Sequence, residues 1–218
     1  MIVYFISGLG ADEQAFRYIK LPNVEKRFIR WIPPQKRETL KEYTTRLLDQ
    51  IDTTQPVTLI GLSFGGIVAQ ELASMIHCER LILISSVKQP EELSPVLRFI
   101  RSTRLYRLFP FRWVKPVFSK VAPYWFSALS DRHRALLKVT IDETDDTFAE
   151  WAIEAIMLWK GSSVERPVIH LHGTHDRIFP VRHLHNYVPV KRGGHFMIVT
   201  HAKPISQLLQ KYVKPALI

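Results

Sequence analysis

The sequence predicts an α/β fold: a doubly wound, mostly parallel sheet of about six strands, interrupted by a helical insertion. Three observations carry this. Short apolar runs rich in Val, Ile and Leu recur along the chain, and most are near-continuous rather than alternating, as strands covered on both faces are. They alternate with segments whose apolar residues recur at helical spacing, the rhythm of strand–helix–strand units. That rhythm fails once, between about residues 90 and 162, where Trp, Phe, Tyr and Arg are dense and no strand pattern appears.

The first run, Ile2-Val3-Tyr4-Phe5-Ile6, directly follows Met1. It has no basic leader or small-residue cleavage site and is short for a secretory signal, so it reads as a core strand. A second strand is predicted over 27–32. In residues 38–51, Leu40, Tyr43, Leu47, Leu48 and Ile51 fall at helical spacing. A strand over 57–60, a helix over 64–76 and a strand over 81–85 follow. In the insertion, Pro95, Pro110, Pro116 and Pro123 punctuate the chain into short helices. Trp151, Ala152, Ala155, Ile156 and Trp159 mark one face of a final helix there. The segment is too long for an ordinary loop. Strands over 167–172 and 187–190 and a helix over 203–213 complete the pattern. The expected division is a core of residues 1–90 and 161–218, with a helical cap of residues 91–160 folded over the C-terminal edge of the sheet.

Composition narrows the function. A chain of 218 residues can bury one good core. No run of about 20 apolar residues is present, so no membrane span is expected. The single cysteine, Cys78, cannot form an intramolecular disulfide and suits a reducing compartment, so a cytoplasmic location is expected. The net charge of +10 is uneven: residues 95–140 hold ten Lys/Arg and one acid, Asp131, whereas residues 141–160 hold six acids and one Lys. Arg98, Arg101, Arg104 and Arg107 recur every three residues. That spacing walks them round half a helix, together with Leu97, Ile100, Leu105 and Leu108, so basic and apolar faces are not separated. No nucleic-acid signature accompanies the charge, and no nucleic-acid partner is expected. A solvated basic surface is the plain reading; weak association with an anionic substrate or membrane surface is the alternative.

The most specific local pattern is Gly61-Leu62-Ser63-Phe64-Gly65, between the Val57–Ile60 strand and the following helix. A serine on so sharp a strand-to-helix turn projects its hydroxyl clear of the backbone, and small residues two before and two after it relieve crowding. A serine nucleophile needs a base, and the base an orienting acid. Asp176 follows the strand Val168-Ile169-His170-Leu171-His172, and His195 follows the next strand in Gly193-Gly194-His195. Both loops leave C-terminal strand ends, where open α/β sheets place their sites. Glu91 or Glu92, after the preceding strand, is the rival acid. His170, His172 and His175 approach a metal-binding H-x-H-x-D-H pattern but carry Thr174 where it needs Asp, so they read as core or supporting histidines and no metal site is expected.

With these motifs in this order, the chain resembles the α/β-hydrolase superfamily of serine esterases and their relatives. The resemblance runs through the N-terminal strand with its Gly-rich loop, the serine turn, the insertion, the loop from His172 to Pro180 and the Gly193-Gly194-His195 loop. It implies a nucleophile Ser63, a general base and acid His195, and an orienting Asp176. It also implies an oxyanion hole made by the backbone N–H groups of Leu9 and Phe64. Two departures stand out: the core lacks the family's first two strands, and Ser7-Gly8 replaces the usual His-Gly. The implied activity is a serine hydrolase, carboxylesterase-like, that cleaves an ester or thioester of a small, mostly apolar substrate through an acyl-enzyme, without metal or organic cofactor. C–C bond hydrolysis, lyase or perhydrolase chemistry by the same residues is the alternative, as is a ligand-binding sensor with little turnover.

Overall fold

The computed structural model describes residues 1–128, 130–164 and 167–213. Its strands are β1 (Ile2–Ile6), β2 (Glu25–Ile29), β3 (Val57–Leu62), β4 (Cys78–Ile84), β5 (Val168–Gly173) and β6 (Val188–Val190). They form one open sheet in the order β2-β1-β3-β4-β5-β6, and every neighbouring pair is parallel. The helices are α1 (Leu40–Leu47), α2 (Phe64–Ala73), α3 (Pro95–Thr103), α4 (Phe111–Trp125), α5 (Asp131–Glu143), α6 (Asp146–Leu158), α7 (Met197–Thr200) and α8 (Ala202–Val213).

Alternation along each strand builds two apolar layers. Tyr4, Ile6, Leu59, Leu81 and Leu83 face one way, into a cluster with Leu47, Ile67, Leu72 and Ala152 from α1, α2 and α6. Val3, Phe5, Ile60, Ile82 and Ile84 face the other way, against Ile205 and Leu209 of α8. Burial on both faces is why the strands read as unbroken apolar runs.

The second strand is earlier than expected, ending at Ile29 rather than 32. Trp31 and Ile32 leave the sheet because their polar groups find other partners: Trp31 Nε1 donates to Ala11 O at 3.1 Å, and the Ile32 N–H donates to Tyr43 Oη at 3.1 Å. The insertion also differs. Pro95 opens α3 and Pro110 caps α4, but Pro116 and Pro123 lie inside the continuous α4. Each removes one backbone donor from the helix. Packing of Phe118 and Ala122 on Leu137 and Ile141 of α5 holds α4 together regardless. Thus α4 and α5 share a small separate cluster, against which Phe196 packs, whereas α6 joins the main core. Among the described residues, no helix is long and apolar enough to cross a membrane.

Because every strand is parallel, the loops after β1, β3, β5 and β6 emerge at one edge. These loops carry Leu9, Ser63, Asp176 and His195.

Candidate active site

Ser63 joins β3 to α2 with φ 52° and ψ −119°, a conformation few non-glycine residues adopt. The turn is held on both sides: the Ser63 N–H donates to Ile84 O at 2.9 Å, and Ser63 O accepts from the Gly66 N–H at 2.9 Å and from Ser86 Oγ at 2.7 Å. The glycines are required by contact. A Cβ on Gly61 would stand 2.4 Å from Gly65 O, and one on Gly65 would stand 2.1 Å from Ser7 O. The second contact wedges the start of α2 under the loop after β1. That loop also reaches the serine, since a Cβ on Gly8 would lie 3.4 Å from Ser63 Cβ. Leu9 is next in that loop. Phe64 opens α2, so its N–H has no acceptor within the helix.

Three side chains from three loops meet at this turn. His195 Nε2 lies 2.9 Å from Ser63 Oγ, and His195 Nδ1 lies 2.8 Å from Asp176 Oδ2. A carboxylate only accepts, so Nδ1 carries the proton and Nε2 presents its lone pair to the serine hydroxyl. Asp176 is buried, and its other oxygen, Oδ1, accepts from the Ile178 and Phe179 N–H groups at 2.8 and 2.9 Å. Burial alone would push this carboxyl up. The adjoining His195 and the hydrogen bonds from His172 and His195 outweigh it and hold Asp176 well below the usual carboxylate range. Hence the group stays ionised.

Behind Asp176 runs a second line of imidazoles. His172 Nε2 stands 2.9 Å from Phe179 O and 3.3 Å from Asp176 Oδ2, which fixes Nε2 as its protonated nitrogen. His172 Nδ1 then accepts from His170 Nε2 at 3.0 Å. Burial, with His172 and Lys88 nearby, lowers His170 to about 3, so it is neutral at physiological pH. The nitrogens of His172 are spent in this line, and His175 is exposed in the loop beyond it. The rival acids are elsewhere. Glu91 is exposed, and Glu92 is buried, accepting from the N–H groups of Lys88 at 2.6 Å and His185 at 3.4 Å.

The insertion closes over this edge at two points. The Phe126 ring meets His195 edge-on at 5.1 Å, and Phe126 O accepts from the Phe196 N–H at 3.0 Å. Ser127 sits so close to the His195 loop that a Cβ on Gly194 would fall 2.3 Å from its own Cβ. At the end of α5, Thr144 presses on Gly10, whose Cβ would land 2.0 Å from Thr144 Oγ1. Phe64 meanwhile stacks on Trp31 at 5.5 Å and meets Trp151 edge-on at 6.0 Å. Of the insertion's other aromatics, Phe111 and Trp159 are buried, but Phe109, Trp113 and Trp125 face outward. A groove of about 700 Å³, bordered by Tyr18, Lys20, Arg132, His133, Lys203 and Gln210, lies apart from this centre, and neither Ser63, Asp176 nor His195 lines it.

The sequence thus points to the residues of the hydrogen-bonded line and to His172 as a supporting histidine, and Phe126 is among the insertion aromatics expected in the cap core or the pocket wall, but nothing in it marks the contacts of Ser127 and Thr144.

Comparison with known proteins places the fold and the family. The Alpha/beta hydrolase family profile matches residues 8–208. The fold is similar to that of a thermophilic esterase from Thermogutta terrifontis solved with malate bound (TM-score 0.71, 18% identity, covering 98% of this chain and 89% of that one). It is likewise similar to a bromoperoxidase from Bacillus anthracis (TM-score 0.73, 16% identity, 98% and 92% covered) and a hydrolase from Oleispira antarctica (0.72, 15%, 99% and 92%). No curated protein sequence matches the chain.

Proposed function

Because the chain belongs to the alpha/beta hydrolase family, we propose that it is a serine hydrolase that cleaves a carboxylic ester or thioester through an acyl-enzyme. The observation that carries this reading is the unbroken line Ser63 Oγ–His195 Nε2 and His195 Nδ1–Asp176 Oδ2, at 2.9 and 2.8 Å, ending on a buried carboxylate. In this reading Ser63 Oγ attacks the carbonyl carbon as His195 Nε2 takes its proton. The carbonyl π pair moves to oxygen, and the N–H groups of Leu9 and Phe64 receive the negative charge. His195 then returns the proton to the leaving alcohol or thiol as the tetrahedral intermediate collapses. Water, deprotonated by His195, attacks the acyl carbon; the second tetrahedral intermediate collapses, the bond to Ser63 Oγ breaks, and His195 returns the proton to Ser63 Oγ as the acid leaves. Asp176 keeps the imidazole in the right tautomer and stabilises its cationic form. One N–H donor to the oxyanion is worth about 2.7–4 kcal/mol in the transition state.

The aromatic ring of Phe126 beside His195, and the Trp31–Phe64–Trp151 cluster at the start of α2, favour an apolar acyl or aryl group. The helices between β4 and β5 are read as a cap over this site. The test is a panel of p-nitrophenyl esters of rising chain length alongside acyl-thioesters, with added hydrogen peroxide as a competing acyl acceptor. Ester or thioester turnover with release of free acid supports the reading. No turnover on any member would sink it, and products dominated by the peracid would replace it with perhydrolase chemistry.

A further inference from the structure

Helix α4 is apolar on two opposite faces and buries only one. Its inner face sets Phe118 and Ala122 against α5, with Phe111 also buried. On the outer side, Trp113, Val117, Val121 and Tyr124 fall within about 80° of one another at about 100° per residue. They are 66, 65, 45 and 60% exposed. Leu108 and Phe109, just before the helix, are exposed as well. Single exposed apolar residues carry no meaning, but a contiguous stripe marks a contact surface.

The charge beside the stripe bears on what could cover it. Residues 95–128 contain seven Lys/Arg and no Asp or Glu. Arg107 pairs with Glu154 and Lys115 with Asp146. Among the described residues, Arg112 and Lys120 of α4 itself have no ion-pair partner. Lys120 borders the stripe, about 20° beyond Trp113, and the Arg112 guanidinium sits 5.8 Å from the Trp113 ring. Large apolar and aromatic side chains interleaved with unpaired cations match an anionic bilayer. The rings and aliphatic groups sink to the acyl boundary, and the long cationic side chains reach the headgroup phosphates.

We propose that the outer face of α4 is an interfacial docking surface that seats this protein on an anionic lipid bilayer. The idea is independent of the ester chemistry proposed above. It has a spatial consequence all the same: α4 runs directly into Phe126 and Ser127, which touch His195 and press on Gly194, so docking places the bilayer beside the candidate site.

The test is co-sedimentation of the full chain with phosphatidylcholine vesicles and with vesicles that also carry phosphatidylglycerol, each at low and raised salt. The expected result is binding to the anionic vesicles, weakened by salt, with little binding to the neutral ones. Trp113→Ala with Val117→Ser should weaken partition by about tenfold or more. Arg112→Gln with Lys120→Gln should weaken it by about tenfold. Thermal melting of each variant checks that the fold is intact. Equal recovery in the supernatant with both vesicle types would overturn the proposal, as would unchanged partition of the Trp113/Val117 variant. A lipid-free dimer that the same variant dissociates would assign the face to a second copy instead. Binding to single-stranded RNA as tight as to the vesicles would assign it to nucleic acid.

Discussion

His172 Nε2 stands 3.3 Å from Asp176 Oδ2, the same oxygen that receives the proton of His195 Nδ1. Thus one carboxylate oxygen serves two imidazoles, of which only His195 reaches Ser63. His172 acts through Asp176, as a positioning residue. Its donated hydrogen bond is one of the interactions that keep Asp176 ionised.

Replacing His172 by Phe should therefore leave substrate binding intact and lower kcat by about ten- to a hundredfold, the worth of a hydrogen bond to a charged group. Without that donor the Asp176 carboxyl takes up a proton more readily, so the acid limb of the kcat profile should move to higher pH. His172→Gln, which can donate at the same place, should recover part of both effects. A pH–kcat series on the three proteins decides. An unmoved acid limb in His172→Phe would remove the residue from this role.

Ser63→Ala should reduce turnover by several orders of magnitude with melting temperature little changed, since Ser63 Oγ bonds His195 and no part of the fold. A fluorophosphonate probe should label Ser63 in the parent protein and fail to label the variant. In His195→Ala, labelling should fall sharply. Activity near the parent level in Ser63→Ala would falsify the serine mechanism.

Gly65→Ala should destabilise the fold by more than about 3 kcal/mol, the range in which single changes have an identifiable steric cause. Its methyl would lie 2.1 Å from Ser7 O and 2.4 Å from Ile6 O, both backbone atoms that cannot swing aside. The displacement runs into the loop bearing Leu9, so probe labelling of the folded fraction should fall too. Urea unfolding and labelling, measured together, check this; a variant as stable and as reactive as the parent contradicts the contact.

His170 couples stability to acid. It is neutral in the folded protein, with its pKa lowered to about 3 by burial, while the unfolded chain protonates it near the ordinary value of 6.5. The unfolded state therefore binds more protons below pH 6.5. Its contribution to stability is complete above that pH and is lost progressively as pH falls towards 3. The slope approaches about 1.4 kcal/mol per pH unit at most. Asp176, whose pKa is also depressed, adds a loss in the same direction below about pH 3.8. Urea unfolding at pH 7, 6 and 5 should show a falling stability in the parent and a flatter dependence in His170→Gln. Parallel curves would show that His170 is not the group responsible.

Much of this architecture was legible because period and order are local properties of a sequence. Runs such as Val57–Ile60 and Leu81–Ile84 read as buried parallel strands from their unbroken apolar character, and loop order placed Ser63, Asp176 and His195 at one edge. The ends were less legible. Trp31 and Ile32 look like strand residues, and only distant partners, Ala11 O and Tyr43 Oη, draw them out of the sheet. The insertion was hardest, because propensity rules stop a helix at Pro116 and Pro123, whereas tertiary packing on α5 carries α4 through both. The outward face of Trp113 was hidden for the same reason. Whether an aromatic residue enters a core or leaves it depends on which side of a long helix it occupies, and that helix was not foreseen.

Gly10 and Thr144 interlock, as do Gly194 and Ser127, with no room for a methyl group between either pair. Each lock has one half in the sheet's loops and the other in the helical insertion. An insertion grafted from a relative would therefore seat only if these four positions travelled together. A chimera that kept the two glycines but brought bulkier residues at 127 and 144 would be forced open above His195. The two paired positions therefore fix which insertions this sheet can carry, so a change on one side of either lock calls for a matching change on the other.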